Sequence, residues 1–225
     1  MHKIKTLLEN LKDVKVIDSS IDYSDYVAVD LSASNEELSK LNITDALAFE
    51  NYIEDYLTKN NAKVAFGGYQ EIRNLYKRST VFNDKNSHER NIHIGLDLWI
   101  KAGTSVLAAL DGTIHGFQNN TALGDYGPTI ILEHQLDELK FYTLYGHLSL
   151  DSLTDKRIGN KVNKGEVIAT LGSPPINGDY APHLHFQIII DIQNKVGDYP
   201  GVCNEKDLEF YTENCPDPNL LLKIN

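Results

Sequence analysis

From about residue 90 onward the chain is a series of short strand-like runs separated by glycine turns, with no helical periodicity over that stretch. The runs include IHIGLDLWI, SVLAAL, TIHGF, TIILEH, KFYTLYGHL, EVIATLG and HLHFQIIID. Short strands at this spacing imply a β-sandwich or a barrel-like sheet. Two glycine-containing segments echo each other weakly. Gly103 precedes Val106 in the first and Gly159 precedes Val162 in the second, each at the same distance and each followed by a further turn. Both read as hairpins of one folded sheet.

The first 75 residues have a different texture. Ile4, Leu7, Leu8 and Leu11 fall at helical spacing, and Val14 to Ile17 and Tyr26 to Leu31 are strand candidates. Asn42 or Thr44 is expected to cap a helix through ALAFENYIEDYLTKN, with Ile53, Tyr56 and Leu57 as its buried stripe, before Gly67-Gly68 breaks the pattern. The organisation expected is an α+β N-terminal appendage over 1–75, a mainly β domain over 76–196, and an irregular C-terminal tail over 197–225 that packs on the core. No reactive cluster stands out in the appendage.

Charge narrows the range of partners. With 21 Lys+Arg against 32 Asp+Glu the net charge is -11, and no basic stripe is present to neutralise a phosphate backbone or an anionic membrane surface. Neither nucleic acid nor membrane is expected as a partner, and no protein partner is legible. No apolar run reaches the ~18 residues needed to span a bilayer. The start, MHKIKTLLENLKDVKV, has Glu9 and Asp13 where the apolar core of a signal peptide belongs. The expectation is a cytoplasmic protein, the alternative being export by a route that the sequence does not display. Cys203 and Cys215, twelve apart, read as two free thiols.

The chemistry concentrates in three strand-associated motifs. In His93-Ile-Gly-Leu-Asp97 the residues alternate, so that His93 and Asp97 face one side and Ile92, Ile94, Leu96, Leu98 and Ile100 the other. Four residues of extended strand span about 13 Å, whereas zinc ligands sit about 2 Å from the metal. The two side chains must therefore lean together to reach one ion; a bend helps, and Gly95 between them permits a bulge or kink. In Pro182-His183-Leu184-His185-Phe186 the two imidazoles share a face because they are two apart in a strand. His147, in Tyr145-Gly146-His147-Leu148, ends a strand beside a glycine. His115 and His134 are less placed. Together these motifs offer one carboxylate and three or four imidazoles. Two histidines and one aspartate give zinc three protein ligands and an open fourth position, the pattern of a catalytic site. Further histidines could move protons or support an oxyanion. Zinc is preferred over magnesium because imidazole is a borderline-soft donor. Asp125, Glu133 and Tyr145 are candidates to brace the ligating imidazoles.

These residues resemble the lysostaphin-type, or LytM-like, zinc metallopeptidases. The matching pieces are HIGLD at 93–97, AGTSVLAALDGTI at 102–114, GDYGPTIILEH at 124–134, YGHLS at 145–149, VNKGEVIATLG at 162–172 and PHLHF at 182–186. The resemblance covers about residues 90–192 and implies a twisted antiparallel sheet with the metal in a groove. It implies His93, Asp97 and His185 as ligands of one zinc ion, and His147 and His183 as the catalytic pair. The activity implied is endopeptidase hydrolysis of glycine- or D-amino-acid-containing peptides, such as peptidoglycan fragments. A second reading is a metal-containing module that binds a peptide or partner without cleaving it. A third, a carrier-like scaffold suggested by the hairpins, lacks the lysine turn that carriers use.

Overall fold

The computed structural model describes residues 2–78 and 89–225; residues 79–88, inside the expected 76–196 domain, lie outside the described residues. The fold is mainly β and is built on one eight-stranded sheet. Its strands are β1 (Tyr26–Ala28), β2 (Val64–Gly67), β4 (Leu96–Trp99), β6 (Gly112–Asn120), β7 (Gly127–Leu136), β8 (Leu139–Gly146), β9 (Lys161–Val162) and β11 (His183–Ile189), which lie in the order β1-β2-β4-β11-β8-β7-β6-β9. Every neighbouring pair is antiparallel except β1 and β2. A parallel pair needs a long crossover, and helix α2 (Ala46–Lys59) supplies it. The N-terminal portion therefore extends the central sheet by two strands.

Two small pairings complete the fold. β3 (Ile92–His93) pairs with β12 (Val202–Cys203) in the tail, and β5 (Ser105–Leu107) pairs with β10 (Val167–Thr170). The second pairing corrects the expectation that both echoing segments are hairpins of one sheet, since β5 and β10 form a two-stranded sheet apart from the main one. The two segments join each other, β5 to β10 and β6 to β9. The tail also carries α3 (Leu208–Asn214) and α4 (Asn219–Leu222), which are too short for periodicity to reveal.

Three apolar layers hold the sheet. On one face Leu96, Leu98, Leu184, Phe186 and Tyr145 pack with Leu8 of α1 (His2–Asn10) and with Leu221 and Leu222 of α4. On the other, Ile131, Leu144 and Ile189 meet Ile92, Ile94, Tyr199 and Cys215. Beside it, Phe49 and Ile53 of α2 close over Trp99 and Ala65. Phe49 is thus part of the buried stripe, with Tyr56 and Leu57 only half-buried. The cap of α2 is Asp45, whose carboxylate accepts from the backbone N–H groups of Leu47 and Ala48 at 3.0 and 3.1 Å. Asn42 and Thr44 instead bond each other through their side chains. Val14 to Ile17 forms no strand, only a single bridge from Ile17 to Val106. Among the described residues no helix is long and apolar enough to cross a membrane.

Candidate metal centre

The register of β4, β11 and β8 assembles the site. His185 lies opposite Asp97 on one side and Gly146 on the other, and His183 lies opposite Trp99. The strand that carries His93 and Asp97 is interrupted at residues 94–95. Alternation therefore does not run through it. Ile92 and Ile94 enter one core layer while Leu96 and Leu98 enter another, and both faces are buried. Gly95 has a second role beyond the break. A Cβ there would fall 2.5 Å from His185 Cε1 and 3.0 Å from the Phe186 carbonyl oxygen, so only glycine leaves room for the imidazole.

The five residues singled out by sequence lie together. His93 Nε2 is 2.8 Å from His185 Nδ1. Asp97 Oδ1 is 3.3 Å from the former and 3.2 Å from the latter. His183 Nε2 is 4.0 Å from the same oxygen, and the His147 and His183 rings are 4.2 Å apart. All five side chains are buried. They form the floor of a cleft walled by Tyr126, Tyr180, Tyr199 and the tail segment Pro200–Val202.

Hydrogen bonds fix the tautomers. Peptide carbonyls only accept, so His93 Nδ1 donates to Gly68 (2.9 Å), His147 Nδ1 to Asn177 (2.7 Å) and His183 Nδ1 to Ala181 (2.8 Å). Each therefore turns the lone pair of Nε2 toward the cleft. Gln187 gives its amide N–H to the Pro200 carbonyl at 3.0 Å, which presents its oxygen to His185 Nε2 at 2.9 Å. His185 donates there and keeps its lone pair on Nδ1. The bracing groups are thus backbone carbonyls and Gln187. Asp125, Glu133 and Tyr145 bond elsewhere: to the Tyr126 N–H, to Lys140, and to Thr143 and the Ala109 N–H respectively.

Three acceptor atoms consequently converge without a proton to share. His93 Nε2, His185 Nδ1 and Asp97 Oδ1 lie within 4.8 Å of one another, and Oδ1, fully buried, has no hydrogen-bond partner among the described residues. Buried lone pairs in this arrangement are costly unless a cation accepts them. Two imidazoles and a carboxylate are the donor types that suit zinc.

Burial pushes His93 and His183 down to about 4, and holds His147 well below its ordinary value with help from the neighbouring His183. His134, outside the cleft, is lowered by burial as well; it bonds the Asp111 carbonyl and Thr143. Burial alone would raise Asp97, but the neighbouring Arg73 cation helps hold its carboxyl well below the ordinary range. An imidazole whose pKa falls on folding binds fewer protons folded than unfolded, so its contribution is whole above about 6.5 and is lost as pH falls toward 4. Metal-free protein is therefore expected to lose on the order of a few kcal/mol of stability between pH 7 and pH 4.5, read from urea midpoints. A flat midpoint across that window contradicts neutral buried imidazoles.

Sequence reasoning missed Gly68, Arg73 and Gln187. Arg73 Nη1 bonds Asp97 Oδ2 at 2.5 Å and its Nε bonds Glu71 Oε2 at 2.5 Å. Only a residue-type signal was on offer, an Arg two residues from a Glu, and such pairs usually face solvent.

Residues 91–197 match the sequence profile of peptidase family M23. A Haemophilus influenzae protein described as an uncharacterized metalloprotease is 33% identical over 117 residues, which are 50% of this chain and 22% of that protein's length. Among solved structures, the catalytic domain of the antimicrobial peptidase lysostaphin from Staphylococcus simulans is 25% identical, with 68% of this chain and 94% of that chain covered and a TM-score of 0.40. A zinc-containing peptidase from Vibrio cholerae is 27% identical, covering 48% of this chain and 31% of its own, with a TM-score of 0.33. The matched stretch takes in His93, Asp97, His147, His183 and His185, so over residues 91–197 the chain is similar to peptidase family M23.

Proposed function

We propose that the chain is a zinc-dependent endopeptidase that hydrolyses glycine- or D-amino-acid-containing peptides of the peptidoglycan type. The observation that carries this reading is the convergence of three lone-pair atoms on one buried point, with Asp97 Oδ1 lacking a hydrogen-bond partner among the described residues. His93, Asp97 and His185 would hold the ion. Zinc bound by three protein ligands supplies Lewis acidity and brings the pKa of a water to roughly 7.

The remaining work falls to His147 and His183. Both are neutral near pH 7, because burial disfavours their charged forms. Each has Nδ1–H committed to a carbonyl, so each takes up a proton only at Nε2, the atom on the cleft side. Their rings are close enough that two positive charges would repel strongly. The pair therefore holds one proton at a time. It accepts that proton as water attacks the scissile carbonyl carbon, and returns it to the nitrogen of the departing amine as the C–N bond breaks.

Metal analysis and a hydrolysis screen test the reading together. Purified protein is expected to hold about one zinc per chain, to cleave oligoglycine or peptidoglycan fragments, and to lose turnover on chelation and regain it with zinc. Stoichiometric zinc with no cleavage of any glycine- or D-residue-containing peptide overturns the hydrolytic assignment in favour of peptide binding.

A further inference from the structure

Arg73 is 1% exposed and belongs to the segment before the family match. Its surroundings brace it on several sides. The backbone N–H of Arg73 bonds the Asn91 carbonyl at 2.9 Å. Glu71, which holds its Nε, is itself fixed by the Leu31 N–H on Oε1 at 2.9 Å. Its Nη1 also lies 3.3 Å from the Tyr76 hydroxyl. Gly68 admits the guanidinium. A Cβ there would fall 1.8 Å from Arg73 Nη2, at a backbone φ of +101° that side chains other than glycine rarely adopt. The same Gly68 supplies the carbonyl that orients His93. One turn of the N-terminal portion therefore sets two of the three candidate ligands.

The effect on Asp97 is specific. Its Oδ2 is committed to Arg73, while Oδ1 faces His93 and His185 without a hydrogen-bond partner among the described residues. A carboxylate free to turn about its last bond can offer a metal both oxygens. One locked by a guanidinium on Oδ2 offers one. We propose that Arg73 is a positioning residue of the metal centre, holding Oδ2 so that Asp97 ligates through Oδ1 alone and coordination positions stay open for water and substrate. This rests on the assignment of His93, Asp97 and His185 as metal ligands. The Glu71 carboxylate offsets the guanidinium charge, so the arrangement restrains Asp97 without leaving a net repulsion toward the ion.

Cobalt substituted for zinc reports coordination number, because its visible d–d bands weaken as four ligands become five. In the full chain, wild type is expected to show the strong bands of a four-coordinate ion. Arg73→Met is expected to bind metal with a dissociation constant no higher than wild type, to lose band intensity, and to lose about 10–100-fold in peptide hydrolysis. Arg73→Lys, which keeps a cationic donor, should recover the bands in part. An Arg73→Met protein with wild-type bands overturns the proposal and leaves the metal assignment standing. Wild type that takes up no cobalt or zinc fails the metal assignment itself, and the proposal with it. A zinc-loaded crystal of wild type decides the matter even where the variants do not fold. Oδ2 on Arg73 and Oδ1 on zinc supports the proposal, and both oxygens on zinc overturns it.

Discussion

Alanine in place of His147 or His183 is expected to lower kcat by about 10²–10⁴-fold while zinc stays near one per chain. Neither imidazole is needed for the three converging ligand atoms, which belong to His93, Asp97 and His185. His183 Nε2 approaches Asp97 Oδ1 no closer than 4.0 Å. The double variant should be little worse than either single one, since a pair that carries one proton fails as a unit when either member is lost. The two positions differ in stability, however. The His183 ring stacks on Trp99 with centroids 3.9 Å apart, so its truncation opens a gap in a packed layer. His147 sits between Tyr126 and Tyr180 at the cleft wall. Zinc content and unfolding midpoints measured beside kcat separate these effects. Unchanged turnover in zinc-loaded His147→Ala removes that residue from the proton path.

The same contrast between local and remote information explains what the sequence discloses. His183 and His185 are two apart in a strand, and His93 and Asp97 flank a glycine in another. The shared direction of His183 and His185 follows from strand geometry, whereas His93 and Asp97 meet across a break at residues 94–95 that the glycine between them signals. Arg73 is different. Its partner Asp97 is 24 residues away, on β4, and nothing in the sequence around Arg73 marks it as buried. Gly68 shows in the sequence only as part of a break, yet its missing side chain admits Arg73 and its carbonyl holds His93. Gln187, two beyond His185, shares its face by the same period of two, and strand geometry could have found it. The bracing of His147 and His183 falls to backbone carbonyls, which carry no residue-type signal. The first 75 residues read from the sequence as an α+β appendage. Only the pairing of Ala65, Phe66 and Gly67 with Trp99, Leu98 and Asp97 shows that they continue the sheet beneath the site.

Asp97→Ala is expected to abolish zinc binding and also to destabilise the metal-free protein by roughly 3 kcal/mol. The two losses have separate origins. Removal of the carboxylate takes away a ligand, but it also strips Arg73 of one of its two anionic partners inside the protein. A buried guanidinium left short of a partner costs far more than an intact pair contributes, and Glu71 keeps the penalty near the lower end of the usual range. His185→Ala provides the comparison. It also removes a candidate ligand, yet it leaves the Arg73–Asp97 pair in place, so zinc is lost while the metal-free unfolding midpoint moves by about 1 kcal/mol. Adding Arg73→Met to Asp97→Ala should return part of the lost stability without restoring zinc, because the stranded charge is gone and the ligand is still absent. Urea unfolding in excess chelator, with metal content measured in parallel, gives all four values. Equal metal-free stability for wild type and Asp97→Ala would mean that the guanidinium finds other compensation, and that Asp97 matters to this chain only through the ion.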